Sequence, residues 1–261
     1  MSRRSLLRAQ TAFGAALLAS AFAPAAAHAA DLHRIYNRAA WQARSPRRGV
    51  RYMTGRPKRI IVHHTATVNT PDVSRSRAFA LARAIQVHHM DTFGWIDTGQ
   101  HFTVSRGAYV LEGREGSLAS LYDEGGPMVV GTHCSGQNAL AIGIETEGTY
   151  IHREPPVKQY EALVDLCARI CRQYWLSASE IYGHRDFNAT QCPGDALYAL
   201  LPQLRRDVGS RIADDDVDAD TVTDGESQRA RHAVMAEAGE DPWEELYSSA
   251  LQLGGLWSEL R

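Results

Sequence analysis

Lys58-Arg59-Ile60-Ile61-Val62-His63-His64 is a short β-branched run with no polar alternation. A strand with water on one face alternates apolar and polar residues. One that does not is covered on both faces, as in an α/β sheet. Working outward, residues 74–90 place Ala78, Ala82, Ile85 and His89 at helical spacing behind Ser74, a suitable cap. His101-Phe102-Thr103-Val104 and Ala108-Tyr109-Val110-Leu111 flank Ser105-Arg106-Gly107 and predict a β-hairpin. Residues 139–146 form a further apolar strand. Residues 157–174 carry Tyr160, Leu163, Val164, Cys167, Ile170 and Cys171 on one helical stripe. Ile181-Tyr182-Gly183 is a last short strand, and Pro193 opens a helix through Leu200. Strands interleaved with helices predict an α/β domain with helices on both faces of the sheet.

The flanks differ from this body. Ser2-Arg3-Arg4-Ser5-Leu6-Leu7, an apolar run over residues 12–23, and Pro24 before Ala27-His28-Ala29 have the layout of an export signal of twin-arginine type. Cleavage after Ala29 leaves an exported protein, periplasmic or secreted. The other reading, an uncleaved anchor, has only about 12 apolar residues against the roughly 18 a span needs. Residues 30–54 form an N-terminal extension and 55–209 the central domain. Residues 210–261 read as an acidic linker, through Asp214-Asp215-Asp216, and a C-terminal helical tail with Trp243, Leu246, Tyr247, Ala250, Leu251 and Trp257 on one face. That tail either rests on its own domain or binds a partner. Residues 31–210 carry 21 basic and 17 acidic side chains, against 4 and 13 in residues 211–261. The body is therefore only mildly basic, which disfavours a nucleic-acid partner. The 261 residues hold 4 Cys and no C-x-x-C pair, too few for a disulfide-built scaffold.

Three residues stand apart among the 11 His and 4 Cys. His63 ends a buried strand, His184 follows another, and Cys192 lies eight residues further on. Two imidazoles and a thiolate suit zinc, and a catalytic zinc keeps three protein ligands and an open position. Cys192 precedes the Pro193 helix, whose N-terminal N–H groups favour a thiolate. The spacing alone leaves open that these are ordinary structural residues.

Six ordered segments carry more. Ile60 to Ala66, Trp95 to Phe102, Glu112-Gly113-Arg114, Val130-Gly131-Thr132-His133, Ile142 to Gly148, and Gly183-His184-Arg185-Asp186 through Cys192-Pro193-Gly194-Asp195 resemble the type-2 N-acetylmuramoyl-L-alanine amidases, a superfamily that includes the peptidoglycan recognition proteins. The resemblance covers about residues 55–207. It implies a single amidase domain with a central mixed β-sheet flanked by helices, one Zn2+ per chain on His63, His184 and Cys192, and a peptidoglycan or muropeptide substrate. The amide between N-acetylmuramic acid and L-alanine would be hydrolysed by a monomer with no stable membrane insertion after signal cleavage. Binding-only relatives commonly have Ser in place of the cysteine, so Cys192 favours an enzyme. His64, next along the strand, points to the opposite face and is the poorer ligand.

The sequence departs from the recognition-protein branch at Gln100, which stands where the pattern Trp-x-Asp-x-Gly-Tyr-x-Phe has its catalytic tyrosine. A bacterial branch uses a glutamate on the strand reading Ile-Gly-Ile-Glu, and Glu145 occupies that position. Strand alternation puts Glu145 on the same face as Gly143 and Glu147, opposite Ile142 and Ile144. Glu145 is thus the expected general base, whereas Glu147 reads as a solvated strand-end carboxylate. Thr190 falls where relatives carry Thr or Lys near the metal, either as an oxyanion donor or as a turn residue. Trp95, Gln100, Arg114, His133 and Asn138 fall in substrate-binding segments of the family. The alternative is a non-catalytic peptidoglycan-binding module. Cys134 either pairs with Cys167 or Cys171, or all three are buried thiols.

Overall fold

The computed structural model describes residues 34–123 and 126–221. The export signal and the 243–257 helix expected from sequence lie outside them. Strands β1 (Ile35–Tyr36), β2 (Arg59–His64), β3 (Phe102–Val104), β4 (Val110–Glu112), β5 (Ala141–Thr146) and β6 (Ile181–Gly183) form one six-stranded sheet in the order β1-β4-β3-β5-β2-β6. β3 and β4 are antiparallel and the other neighbours parallel, so the sheet is mixed, as expected. The hairpin turns through Ser105, which accepts the Ala108 N–H at its carbonyl.

Helices α1 (Arg75–Val87), α2 (Ser117–Tyr122), α3 (Val157–Tyr174), α4 (Asp195–Ala199) and α5 (Leu201–Thr221) surround it. Side-chain alternation decides which face each covers. Ile60, Val62, Ile142 and Ile144 pack into the core that holds Leu163, Val164, Cys167, Ile170 and Cys171 of α3 and Leu204 and Val208 of α5. Truncating a fully buried member such as Leu163 to Ala costs about 2–5 kcal/mol. Leu111 points the other way and meets Ala78 and Ala82 of α1 together with Tyr36 and Trp41. Helices therefore lie on both faces. Beyond α1, the face that carries Ile61 also carries His63 and Glu145, paired directly across β2 and β5.

Several local features differ from the sequence expectation. Ser74 caps α1 as read, accepting from the Arg77 N–H, but the helix ends at Val87 and a wider helical turn, His88–Thr92, follows. The helix expected from Pro193 begins at Asp195 behind Gly194. α5 runs on to Thr221, so the start of the Asp-rich segment read as linker is helical. β1 and α2 are too short for periodicity to reveal. Cys134, Cys167 and Cys171 are buried free thiols, with Cys134 in a different apolar cluster from the other two. No helix among the described residues is long and apolar enough to cross a membrane.

Candidate metal centre

β2 delivers His63, the turn after β6 delivers His184, and the loop before α4 delivers Cys192. One ligand atom from each lies within 4.8 Å of the others. Cys192 Sγ is 3.6 Å from His63 Nδ1. Two ligands about 2.0–2.3 Å from one tetrahedral ion are separated by about that distance, so the donor set fits zinc. Burial, then the neighbouring His133 and His184, push the His63 pKa well below 6.5, and burial lowers that of His184. Both imidazoles are therefore neutral, as a ligand must be.

Cys192 corrects the sequence argument. No long helix stands behind it, and α4 begins three residues later. Burial, and next the charge of Glu145, push its thiol pKa up, although the His64 N–H donates to Sγ at 3.4 Å. A thiolate here needs a cation beside it. His64 itself turns to the other face, where its Nδ1 accepts from the Tyr150 N–H.

Glu145 lies between His63 on β2 and Thr103 on β3 in register. Its Oε2 is enclosed without a hydrogen-bond donor, and burial raises its pKa to about 8. Glu147 is different: its Oε2 accepts from the Arg106 N–H and its Oε1 faces Arg77 at 3.6 Å. It is buried and paired, not the solvated carboxylate the sequence suggested.

The remaining expected residues are placed as follows. Thr190 is exposed, and its Oγ1 accepts from the Cys192 N–H at 3.2 Å, leaving its own proton free to donate. Gln100 is 1% exposed and donates from Nε2 to Thr103 Oγ1, while its Oε1 has no donor. Arg114 is 2% exposed and donates to Thr132 Oγ1. Asn138 Oδ1 accepts the N–H groups of His133 and Cys134. Trp95 is partly exposed, with its ring centroid 4.6 Å from that of His89 and 5.1 Å from that of Phe93. His133 lies against His63, with Nδ1 3.0 Å from His63 Nε2. The structure thus brings His63, His184, Cys192, Glu145 and His133 together. It buries Gln100 and Arg114 beneath the surface and uses Asn138 to hold a loop.

Sequence reasoning missed Asn188 and Thr103. Asn188 Oδ1 lies 3.1 Å from His184 Nε2. The four-residue spacing after His184 was the available signal, on a tight turn that sequence alone did not reveal. Thr103 is found only through strand pairing.

A partly buried two-histidine, one-thiol cluster suited to a metal ion, beside an orphaned carboxylate on a mixed sheet flanked by helices, defines the class: an α/β domain with a candidate metal centre. The family model for N-acetylmuramoyl-L-alanine amidase matches residues 53–195, and the chain belongs to that family. It is 33% identical over 185 residues to peptidoglycan recognition protein 1 of Bos taurus, covering 67% of this chain and 86% of that protein. It is also 33% identical over 156 residues to the N-acetylmuramoyl-L-alanine amidase of Homo sapiens, covering 56% of this chain but 25% of that protein. Among solved structures, Drosophila PGRP-LB aligns with a TM-score of 0.55 at 27% identity, covering 64% of this chain and 91% of that one. Peptidoglycan recognition protein LE, solved with tracheal cytotoxin, a monomeric diaminopimelic acid-type peptidoglycan, aligns with a TM-score of 0.56 at 26% identity, covering 65% and 92%.

Proposed function

We propose that this chain is an exported zinc-dependent hydrolase that cleaves the amide between N-acetylmuramic acid and L-alanine in peptidoglycan. The observation that carries the reading is the convergence of His63, His184 and Cys192 beside Glu145, whose enclosed Oε2 lacks a donor. His63, His184 and Cys192 would hold the ion. Bound there, zinc supplies Lewis acidity toward the amide carbonyl and a positive charge that lowers the pKa of a nearby water and of Glu145.

The chain's own groups handle the proton. Glu145 Oε2 accepts it from the attacking water and returns it to the leaving L-alanine nitrogen. The missing donor is thus supplied by the reacting water. Thr190, anchored through the Cys192 N–H, turns its hydroxyl proton to the developing oxyanion. Partly exposed Trp95 offers its ring to the substrate. Gln100, Arg114, His133 and Asn138 support the site from beneath.

A second reading, a peptidoglycan-binding module without turnover, draws on Gln100: it stands in the tyrosine place, with its amide turned inward to Thr103. Mass spectrometry of peptidoglycan incubated with the protein separates the two. Release of stem peptides with an L-alanine amino terminus, lost on chelation and restored by zinc, is expected. Cys192→Ser should lose both zinc and release, by about 10³-fold or more if the ion supplies the several kcal/mol of transition-state stabilisation expected of it. Retention on the wall with no release would establish the binding module.

A further inference from the structure

The loop over residues 131–138 touches His63 directly and reaches His184 through Asn188. His133 Nε2 lies 3.2 Å from the Ala141 carbonyl oxygen, which can only accept, so Nε2 carries the proton. His133 Nδ1 is then bare and must accept the proton of His63 Nε2, 3.0 Å away. That leaves His63 Nδ1, the atom facing Cys192 Sγ, with a free lone pair. The same logic runs at His184. Asn188 Nδ2 donates to the Phe187 carbonyl at 2.8 Å and the Ser135 carbonyl at 3.4 Å, so its Oδ1 is fixed as acceptor. That Oδ1 takes the proton of His184 Nε2 at 3.1 Å and the thiol proton of Cys134 at 3.3 Å.

The fold makes room for this arrangement. A Cβ on Gly143 would lie 2.5 Å from His133 Cγ, and one on Gly131 would lie 2.6 Å from His133 Cδ2. Asn138 closes the loop, accepting the His133 N–H at 2.7 Å and the Cys134 N–H at 3.0 Å, while its carbonyl accepts from Gly131. One turn thus delivers His133 to the His63 ring and Cys134 and Ser135 to Asn188, which holds the His184 ring.

We infer that His133 and Asn188 are positioning residues that fix His63 and His184 as Nδ1 metal ligands, with the loop over residues 131–138 bracing both from one side. The inference rests on the metal reading above. Partners that hold the second nitrogen of a ligating imidazole set its tautomer and ring angle, and losing one typically weakens metal binding by about 10–100-fold.

The test is zinc affinity of the full chain by chelator competition, with ring-nitrogen NMR of zinc-free and zinc-loaded protein. The wild type should show His63 and His184 protonated on Nε2 and ligated through Nδ1. His133→Phe keeps a ring but offers no acceptor, and it should weaken zinc about 10–100-fold. His133→Gln, whose Oε1 can accept the His63 proton, should recover part of that loss. Asn188→Ala tests the other histidine independently, so the inference stays exposed if His133→Phe does not fold. Zinc affinity within twofold of wild type in both His133→Phe and Asn188→Ala, or ligation through Nε2, overturns the inference while sparing the metal reading. A wild type that takes up no zinc overturns the metal reading, and this inference with it.

Discussion

Glu145 and Glu147 lie two residues apart, and their surroundings separate a working region from a structural one. Glu145 sits beside the ligand cluster with an enclosed oxygen that nothing donates to, and burial alone raises its pKa. Around Glu147 the groups are tied down: Arg106 donates its N–H to the carboxylate, Gln159 Nε2 donates to the Glu147 carbonyl at 3.0 Å, and Tyr150 donates to the same carbonyl. One region holds an acceptor in reserve for something that arrives; the other ties Glu147 Oε2 and its carbonyl into the fold and leaves Oε1, which accepts no hydrogen bond, facing the Arg77 guanidinium at 3.6 Å. An acceptor buried without a partner costs about 1–3 kcal/mol. Such a cost is most readily kept where the reaction uses it.

The sharpest way to break this contrast is to neutralise each carboxylate in turn. Glu145→Gln should retain zinc and lower kcat by about 10²–10⁴. It should also raise the stability of zinc-free protein. A carboxyl whose folded pKa is near 8 keeps its proton when the unfolded chain, at about 4.5, has lost it, so it opposes folding increasingly as pH rises from 4.5 to 8. Urea unfolding at pH 8 should therefore show a gain of roughly 1–3 kcal/mol that vanishes at pH 4.5. Glu147→Gln should do the reverse, losing about 1–3 kcal/mol with turnover within about twofold of wild type. Equal loss of turnover in both variants would end the distinction.

Next in size is Thr190. Removing one oxyanion donor costs up to about 10²–10³ in kcat where the donor is well enclosed, and Thr190 is exposed. Thr190→Val should therefore lower kcat by about tenfold, at the low end for a hydrogen bond, with Thr190→Ser close to wild type. If valine is fully active, Thr190 is only the turn residue that caps the Cys192 N–H.

What the sequence revealed follows the same division. His63, His184, Cys192 and Glu145 were singled out by the family resemblance; strand ends and alternation, which are local, made His63, His184 and Glu145 compatible with a site but did not by themselves pick them. Gln100, Arg114, His133 and Asn138 fall in segments next to the site, but whether each points at substrate or supports the protein is set by packing across strands. His133 illustrates this: only the missing side chains of Gly131 and Gly143 allow its ring to turn onto His63. The thiolate argument for Cys192 failed for the same reason, since it weighed a neighbouring helix and not burial among strands. Glu147 looked solvated because Arg77 and Arg106, which cover it, come from other elements.

His89 gives the smallest effect and extends the comparison to an acceptor already in use. Its Nδ1 accepts the Gly99 N–H at 3.0 Å, which it can do only while neutral. Burial, then the charges of His88 and Arg114, lower its pKa to about 4, against 6.5 for an unhindered imidazole. The unfolded chain thus binds a proton here before the folded one does, so stability is complete above about pH 6.5 and declines as pH falls toward 4. His89→Gln removes that titration, and its Oε1 can still accept from Gly99. Unfolding midpoints of zinc-free protein should therefore fall less steeply between pH 6.5 and 4 in the variant than in wild type, by a part of the decline only, because His101 and His133 are also held neutral by burial and remain. Superimposable pH profiles would show that the Gly99 bond survives protonation, and His89 would then belong with the groups left free and not with those the fold has used.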